Sequence, residues 1–295
     1  MSKVLDELVE QLALERIEEN LFRGQSQDLG WGTVFGGQVL GQALSAAVQT
    51  VPTERHVHSL HAYFLRPGDV HKPIVYDVDR IRDGGSFTTR RVVAIQSGEP
   101  IFNVACSFHK EEEGVEHQND MPEVPAPETL LSEEAYYAQF DNPVAERLKA
   151  RAQKRPFEMR VVAPPADPFN PTPQPAERKV WMRAQGTLPA QPSLHAYLLA
   201  YASDFAFVTT ALLPHALNVH SAGMHVASID HVMWFHRPFR VDEWFLYAMD
   251  SPSAGGARGL VRGSVFTQDG RLVASTAQEG LMRRRKGRPA TDPAQ

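Results

Sequence analysis

The chain has 295 residues, a formal net charge of −5, and 42% hydrophobic and 22% charged side chains. These values are typical of a soluble globular protein with two modest domains or one large one, and they exclude a disordered or fibrous chain. The acidic balance argues against a general nucleic-acid binder, because such proteins neutralise phosphates with clustered Lys and Arg. Cys106 is the one cysteine, which excludes an intrachain disulfide and a multi-cysteine zinc site and fits a reducing cytoplasm.

The two ends of the sequence carry no recognisable address. The opening MSKVLDELVEQLALERIEEN has acids throughout, unlike a secretory or transit peptide, and the last residues contain no S-K-L signal. No run of about 18 uninterrupted apolar residues suggests a membrane span. We therefore expect a cytoplasmic protein.

The first half predicts a helix followed by a sheet. Apolar residues at helical spacing from Val4 to Leu12 indicate a short amphipathic helix, and FGGQVLGQALSAAVQTV is apolar nearly all round, which indicates a buried helix. Four β-rich segments follow: HSLHAYFLRPG, PIVYDVDRIRDG, SFTTRRVVAIQSG and PIFNVACSF. A sheet of this kind is expected to curl round the buried helix.

The same order returns after an acidic and proline-rich stretch. In that stretch EEAYYAQFDNPVAERLKARAQK predicts one or two surface helices, with Pro143 breaking a continuous one. Beyond it come the strand KVWMRAQG, the apolar helix HAYLLAYASDFAFVTTALL and four more strands. We expect a first unit at 1–113, a connection at 114–176, a second unit at 177–288 and a tail at 289–295.

Two landmarks support an internal duplication. Phe64-Leu65-Arg66-Pro67 matches Phe235-His236-Arg237-Pro238 at a separation of 171 residues, and Gln96-Ser97-Gly98 matches Gln268-Asp269-Gly270 at 172. A nearly constant separation across four strands predicts two copies of one fold. The helices need a gap, expected in PHALNVHSAGMHV.

Asp204 is the first candidate for chemistry. It lies in YLLAYASDFAFV among apolar and aromatic neighbours, where burial would raise its pKa. The alternative is that Asp204 lies on an exposed stripe or caps the start of a helix.

Gln278 and Ser228 are weaker candidates by themselves. At a separation of 172, Gln278 falls opposite Cys106, so a polar amide occupies one half where the other has an apolar-tolerant position. Ser228 offers a hydroxyl before a strand, although most such serines only bond the backbone or face solvent. A polar residue without a twin suggests one site, confined to the second half.

Several common sites are absent or disfavoured. The sequence contains no G-x-S-x-G, G-x-x-x-x-G-K-[ST] or G-x-G-x-x-G motif. His58 and His61, like His231 and His236, are an odd number of positions apart and would point to opposite faces of a strand, which disfavours a metal site. Cys106 lies in a segment typical of a core strand rather than of a reactive thiolate.

Five ordered motifs resemble the acyl-CoA thioesterase II family: LFRGQSQDLGWGTVFGGQVLGQAL, HSLHAYFLRPGD, YASDF, DHVMWFHRPF and DGRLVASTAQEG. The resemblance extends from about Leu12 to about Met282. It implies an α+β double hotdog, two tandem units each with an antiparallel sheet wrapped round a long central helix. It also implies that Asp204 and Gln278 are catalytic, with Ser228 where the family has Thr.

The resemblance implies hydrolysis of fatty acyl-CoA without a metal or a cofactor. Asp204 would accept a proton from water that Ser228 and Gln278 orient. Gly36 and Gly37, at a helix start, are candidates for donating backbone N–H groups to the oxyanion. His58 is a further candidate because imidazole titrates near neutral pH.

Substrate contacts are predicted less firmly. Candidates for an acyl tunnel are Trp31, Phe35 and Phe207. For the CoA phosphates the candidates are Arg66, Arg90, Arg91, Arg237 and the run Arg283-Arg284-Arg285-Lys286, each with a solvated surface charge as the alternative.

Two other functions stay open: a hotdog dehydratase acting on 3-hydroxyacyl thioesters, and a noncatalytic acyl-CoA binding protein. Dehydration in that scaffold uses a His with an acidic partner, whereas these positions hold Asp, Ser and Gln. A binder has no need of a buried base. We expect a homo-oligomer, dimer or tetramer, with one active site per chain and no nucleic-acid or membrane partner.

Overall fold

A computed structural model describes residues 2–284, which leaves Arg285, Lys286 and the predicted tail outside the described residues. The first half contains two helices and six strands. They are α1 (Lys3–Leu12), β1 (Glu15–Glu18), β2 (Leu21–Gly24), α2 (Gly36–Val48), β3 (Arg55–Phe64), β4 (Ile74–Asp83), β5 (Phe87–Gln96) and β6 (Glu99–Lys110).

The rest of the described chain adds three helices and seven strands. They are α3 (Glu133–Tyr137), α4 (Pro143–Gln153), β7 (Phe157–Val161), β8 (Glu177–Ala184), α5 (Pro192–Ser203), β9 (Met224–Ser228), β10 (Asp230–Phe235), β11 (Phe245–Gly255), β12 (Arg258–Thr267) and β13 (Leu272–Arg284). Short 3-10 turns lie at Pro127–Thr129 and Val208–His215.

All strands of the described chain join one antiparallel sheet, which the two halves share. Its order is β1-β2-β4-β5-β6-β3-β10-β13-β12-β11-β8-β7, with β9 pairing β13. The halves meet where β3 pairs β10, and helices α2 and α5 lie inside the sheet, buried along almost their whole length. This is the predicted α+β double hotdog, and the fold prediction is confirmed.

Strand pairing shows the internal duplication directly. His61 pairs Ala105 in the first half and Val232 pairs Ala277 in the second, which reproduces separations of 171 and 172 residues. His61 also pairs Val232 at the junction of β3 with β10, as expected when a two-fold relationship passes between equivalent positions. Residues at these separations therefore occupy equivalent places in the two units.

The two central helices cross closely in antiparallel directions. A Cβ added at Gly37 would lie 2.2 Å from the carbonyl oxygen of Tyr201, and one added at Gly41 would lie 3.1 Å from that of Tyr197. Glycine is needed at Gly37 because any side chain there would collide with the backbone of α5. This close approach brings the beginning of α2 to the end of α5.

The connection is more structured than its sequence suggests. The predicted pair of helices is present as α3 and α4, and Pro143 marks the break between them because it takes the first position of α4. Asn142 caps α4 through its side chain. Strand β7 was not predicted, and it pairs β8 to extend the sheet of the second half. The additional residues between α5 and β10 form the 3-10 turn, a loop and β9.

One helical segment of residues 2–284, Pro192–His215, is long and apolar enough to cross a membrane by length and composition. This segment was not recognised in the sequence, where only uninterrupted apolar runs of about 18 residues were considered as candidate spans. Within the fold, 78% of its most apolar window is buried, so its composition matches its place in the core.

Candidate active site

Asp204, Ser228 and Gln278 converge where α5 ends. The Oδ1 atom of Asp204 lies 3.4 Å from the Ser228 hydroxyl and 3.3 Å from the Gln278 amide nitrogen. The same amide nitrogen donates to the Ser228 oxygen at 2.6 Å. The structure thus brings together three side chains that the sequence separates by up to 74 positions.

A fourth contact to Asp204 comes from the other half of the chain. The backbone N–H of Gly37 donates to Oδ2 of Asp204 at 2.9 Å. Gly37 lies in the first turn of α2, where free N–H groups and the helix dipole favour a negative charge. The site is therefore built from both halves.

Asp204 occupies the C-cap position of α5, so the alternative of a cap at a helix start is wrong. The end of a helix disfavours a carboxylate, because its own dipole is negative there. The start of α2 offsets that effect. Such a placement costs stability and is characteristic of a functional residue.

Burial raises the pKa of Asp204 to about 6, while hydrogen bonds from Gln278, Gly37 and Ser228 act to lower it. These partners are neutral donors, so no cation among residues 2–284 contacts the carboxylate and forces it to ionise. The side chain retains some exposure to solvent. A carboxylate with a pKa near neutrality can both take up and release a proton under physiological conditions.

Strand pairing fixes the positions of Ser228 and Gln278. Ser228 ends β9 and pairs Gly280 of β13, and Gln278 lies two residues earlier on β13 and so faces the same side of the sheet. Val208 packs over Gly280, where an added Cβ would lie only 2.3 Å from the Val208 side chain, so glycine is needed for this packing. The two polar groups are thus carried by a rigid, paired part of the sheet.

His231 lies behind this group and was missed as a site residue by the sequence analysis. Its Nδ1 atom is 2.5 Å from Oε1 of Gln278, and its Nε2 atom is 2.9 Å from the Ser203 hydroxyl. The imidazole is fully buried, and burial lowers its pKa to about 4. At a separation of 171 residues the equivalent of His231 in the first half is the apolar Leu60. This difference between the halves would have marked His231 as a candidate.

The two glycines proposed as oxyanion donors, Gly36 and Gly37, differ in whether their N–H groups already have a partner. The N–H of Gly37 is already donated to Asp204, which corrects that expectation. Gly36, one residue nearer the helix start, is partly exposed, and a Cβ there would lie 2.7 Å from Oδ2 of Asp204 and 2.9 Å from the Phe64 ring. Its N–H stays the candidate oxyanion donor.

His58 is not brought to this site, which corrects the expectation that it takes part. Its Nε2 atom lies 2.7 Å from the Ser107 hydroxyl, and its ring lies against Phe87 and His109. On β3 it precedes Tyr63, which pairs Asp230 beside the site, by five residues or roughly 16 Å. The pKa of His58 is lowered mainly by burial and also by the nearby His109.

Cys106 is a core residue, as predicted. It is 1% exposed, and burial raises the pKa of its thiol to about 12. Cys106 pairs Leu60, so the first half has an apolar pair where the second has His231 and Gln278.

Aromatic side chains flank the start of α2. Trp31 is 41% exposed and lies 5.1 Å from the Phe35 ring, which stacks on Phe205 at 4.7 Å. Phe35 precedes Gly36 and Phe205 follows Asp204 in the chain, so this stack lies where α2 begins and α5 ends. Phe207 instead packs behind the site against His231 and Tyr247, so the prediction that it lines a tunnel has no support from its position.

The arginines proposed for CoA phosphates already have carboxylate partners. The nitrogen–oxygen distances are 3.1 Å for Arg66–Glu99, 2.8 Å for Arg90–Asp83, 3.0 Å for Arg91–Asp79 and 3.5 Å for Arg237–Glu116. Arg90 is also buried, where it bonds Thr50. Of the C-terminal run, Arg283 and Arg284 end β13 in exposed positions, and Arg285 and Lys286 lie outside the described residues.

No group of three His, Cys, Asp or Glu side chains in residues 2–284 is arranged to hold a metal ion.

Comparison with known proteins gives the family. A family model described as acyl-CoA thioesterase matches residues 149–281, and one described as the acyl-CoA thioesterase N-terminal domain matches residues 26–109. Acyl-CoA thioesterase 2 of Haemophilus influenzae is 48% identical over 284 residues, covering 96% of this chain and 99% of the relative. Human acyl-coenzyme A thioesterase 8 is 44% identical, covering 92% and 87% respectively.

A solved structure agrees with these sequence relatives. The crystal structure of an acyl-CoA thioesterase II from Mycobacterium marinum superposes with a TM-score of 0.78 at 43% identity, covering 95% of this chain and 100% of that one. Such similarity over nearly the whole length means that the chain belongs to the acyl-CoA thioesterase II family.

Proposed function

We propose that this protein hydrolyses fatty acyl-CoA to free fatty acid and CoA, with Asp204 as the general base. The proposal rests on the surroundings of the Asp204 carboxylate. One of its oxygens is held by Gly37 N–H, and the other faces the Ser228 hydroxyl and the Gln278 amide. A water bound between these groups would meet a base and two orienting partners.

The reaction proceeds by direct attack of water. As the water oxygen bonds to the thioester carbonyl carbon, one water proton passes to Asp204. The C–S bond of the tetrahedral intermediate then breaks, and the CoA sulfur leaves as a thiol with the proton that Asp204 received. Asp204 ends ionised, so the carboxylate is regenerated in each turnover.

Hydrogen-bond donors must stabilise the oxyanion that forms on the carbonyl oxygen. The N–H of Gly36 is the donor we assign to this role, because it lies at the positive end of α2 and beside Asp204. An acyl-CoA whose carbonyl oxygen points to this helix start presents its carbonyl carbon toward the carboxylate.

The site favours hydrolysis over dehydration. A dehydratase needs a His and an acid that face the substrate together, whereas His231 is fully buried behind Gln278 and His58 lies on a distant part of β3. Simple acyl-CoA binding would not require a carboxylate at the unfavourable end of α5.

The test measures free thiol release from a series of acyl-CoAs by wild-type protein and by Asp204→Asn. We expect CoA release by wild type and a loss of about 10²-fold or more in kcat for the variant, as for removal of a positioned base. A circular dichroism spectrum and a thermal transition control for folding. Release of CoA by Asp204→Asn at the wild-type rate, or none by wild type, would refute the proposal.

We also propose that the protein is cytoplasmic and self-associates as a dimer or tetramer. Cys106, the one thiol, fits a reducing compartment. Tyr63 and Trp234, on the outer face near the β3–β10 junction, are 55% and 38% exposed, which supports a further contact there. Sedimentation velocity at several concentrations tests the association, and a monomer throughout would exclude it.

A further inference from the structure

We infer that His231 is a positioning residue which, in its neutral Nδ1-protonated form, holds the Gln278 amide with its NH₂ group toward Asp204 and Ser228. The inference rests on the proposed function of that site. An amide that orients water must keep its NH₂ group toward that water, and its oxygen end then needs a hydrogen-bond donor behind the site.

The chemistry of Asp204 fixes the orientation of Gln278. An ionised carboxylate only accepts hydrogen bonds, so the amide end that faces it must be Nε2. The opposite end is therefore the carbonyl oxygen Oε1, which lies 2.5 Å from Nδ1 of His231. A carbonyl oxygen accepts, so Nδ1 must carry a proton.

The contacts of the other imidazole nitrogen are compatible with a neutral ring. Nε2 lies 2.9 Å from the Ser203 hydroxyl, which is also 2.8 Å from the carbonyl oxygen of Ala200. The single hydroxyl proton can serve one of these acceptors. In the neutral ring Ser203 donates to Nε2, and this state fits the lowered pKa that burial gives His231.

The fold itself does not require this polar pair. The equivalent positions in the first half are Leu60 and Cys106, which pair with each other and are 0% and 1% exposed. An apolar pair is therefore compatible with this point in the sheet. Burying a histidine and an amide costs more than burying apolar groups unless every polar atom is bonded, and the pair is present in the half that carries Asp204.

Without His231 the oxygen end of the amide loses its donor, and only the contacts of Nε2 with Asp204 and Ser228 still favour one orientation. The oxygen and nitrogen ends of Gln278 have nearly the same shape, so rotation about the last bond exchanges them. The exchanged form would present Oε1 to the carboxylate and to the water site, where it repels Asp204 and donates nothing. The orientation of the attacking water would be lost, while acyl-CoA binding would change little.

Three substitutions at one position test the inference. Asn places an amide near Nδ1 and can still donate to Gln278, Gln places its amide near Nε2 instead, and Leu offers neither. We expect His231→Asn to keep kcat within a few-fold, and His231→Leu and His231→Gln to lose roughly 10- to 100-fold in kcat with little change in KM, the size expected when one buried hydrogen bond is lost. Equal losses in all three would overturn the inference.

Leu60→Ala is the matched control, because it disturbs the equivalent place in the first half. We expect it to lower the thermal transition without lowering kcat. The decisive comparison is made in a Gln278→Ala background, where His231→Leu should cost no further activity. A further loss there would show that His231 acts on something other than Gln278.

A spectroscopic measurement decides the inference even if the variants fail to fold. Nitrogen chemical shifts of ¹⁵N-histidine in the wild type report which ring nitrogen is protonated. A neutral ring protonated at Nδ1 at pH 7 is expected, and an Nε2-protonated or cationic ring would overturn the inference. If instead Gln278→Ala itself keeps full activity, the proposed catalytic site fails while the tautomer result stands separately.

Discussion

The backbone N–H of Gly37 donates to the Asp204 carboxylate across 2.9 Å, and this one bond joins the two halves of the chain at the site. Gly37 begins the central helix of the first half, and Asp204 ends that of the second. The helices cross closely enough for this contact because Gly37 has no side chain to strike the carbonyl of Tyr201. The duplication thus gives a composite candidate site, since the first half supplies a helix start and the second the carboxylate.

A single active site per chain is the first expectation. The first half has Leu60 and Cys106 where the second has His231 and Gln278, so it lacks the polar group that we propose orients water. Titration with a thioether analogue of acyl-CoA, followed by isothermal calorimetry, should reach one equivalent per chain. Two equivalents would mean that the first half retains a binding site of its own.

The pH dependence of kcat/KM should follow Asp204. Burial raises its pKa to about 6, and the base must be ionised to accept a proton. Activity is therefore expected to be half-maximal near pH 6 and to fall about tenfold per unit below it. His231 contributes no rising limb near neutrality, because burial lowers its pKa to about 4. An acidic limb centred near pH 4 would indicate that the carboxylate is not desolvated.

Much of the fold could be predicted from sequence because the pattern repeats. Two short matches at a nearly constant separation predicted two copies of one fold, and nearly continuous apolar segments predicted the central helices. Strand β7 was missed because its residues, FEMRV, follow a charged helix and precede a proline-rich loop, and only pairing with β8 makes them a strand. Local sequence does not encode such a partner.

Motifs in the sequence led to Asp204, Ser228 and Gln278, which the structure brings together, but contacts between distant elements could not be predicted in this way. Sequence comparison between the halves found Gln278 against Cys106, and the same comparison of His231 with Leu60 would have found the histidine. The bond from Gly37 to Asp204 spans 167 positions and depends on how two helices cross. His58 was expected at the site because imidazole suits acid/base chemistry, but residue type does not indicate how far along β3 a residue lies from Asp204.

Ser228→Thr should leave activity within a few-fold of wild type. The added methyl restricts the rotamer but keeps the hydroxyl that contacts Asp204 and accepts from Gln278. Ser228→Ala leaves the Gln278 amide without its 2.6 Å partner, and a loss on the order of 10-fold in kcat is expected for one such bond. Steady-state kinetics on one acyl-CoA distinguish the two. Equal activity of Thr and Ala variants would show that the hydroxyl does not orient water.

Gly36→Ala and Gly37→Ala should fail in different ways. At Gly36 the new methyl meets the ends of two side chains, Asp204 and Phe64, which can move. We expect nearly unchanged stability and a loss on the order of 10-fold in kcat as the carboxylate is displaced. At Gly37 the methyl meets the backbone of α5 at 2.2 Å, and overpacking there should lower the free energy of unfolding by about 1–3 kcal/mol.

Urea unfolding and steady-state kinetics on both variants separate these effects. The expected pattern is a stable but slow Gly36→Ala and a destabilised Gly37→Ala. If Gly36→Ala is fully active, the position of the Asp204 carboxylate is not as tightly constrained as the structure indicates.

The stability of wild type relative to Asp204→Asn should change with pH in a direction set by burial. The folded-state pKa of Asp204 is raised to about 6 from an ordinary 3.8, so the folded protein binds the proton more tightly than the unfolded chain. Ionisation at pH 7 therefore costs stability, on the order of 3 kcal/mol. As pH falls from 7 to 4, wild type should gain stability against the variant, measured as the difference in free energy of unfolding. Because other carboxylates titrate equally in both proteins, the difference isolates Asp204. A difference that stays constant, or that moves against wild type on acidification, would mean that its hydrogen bonds outweigh its desolvation.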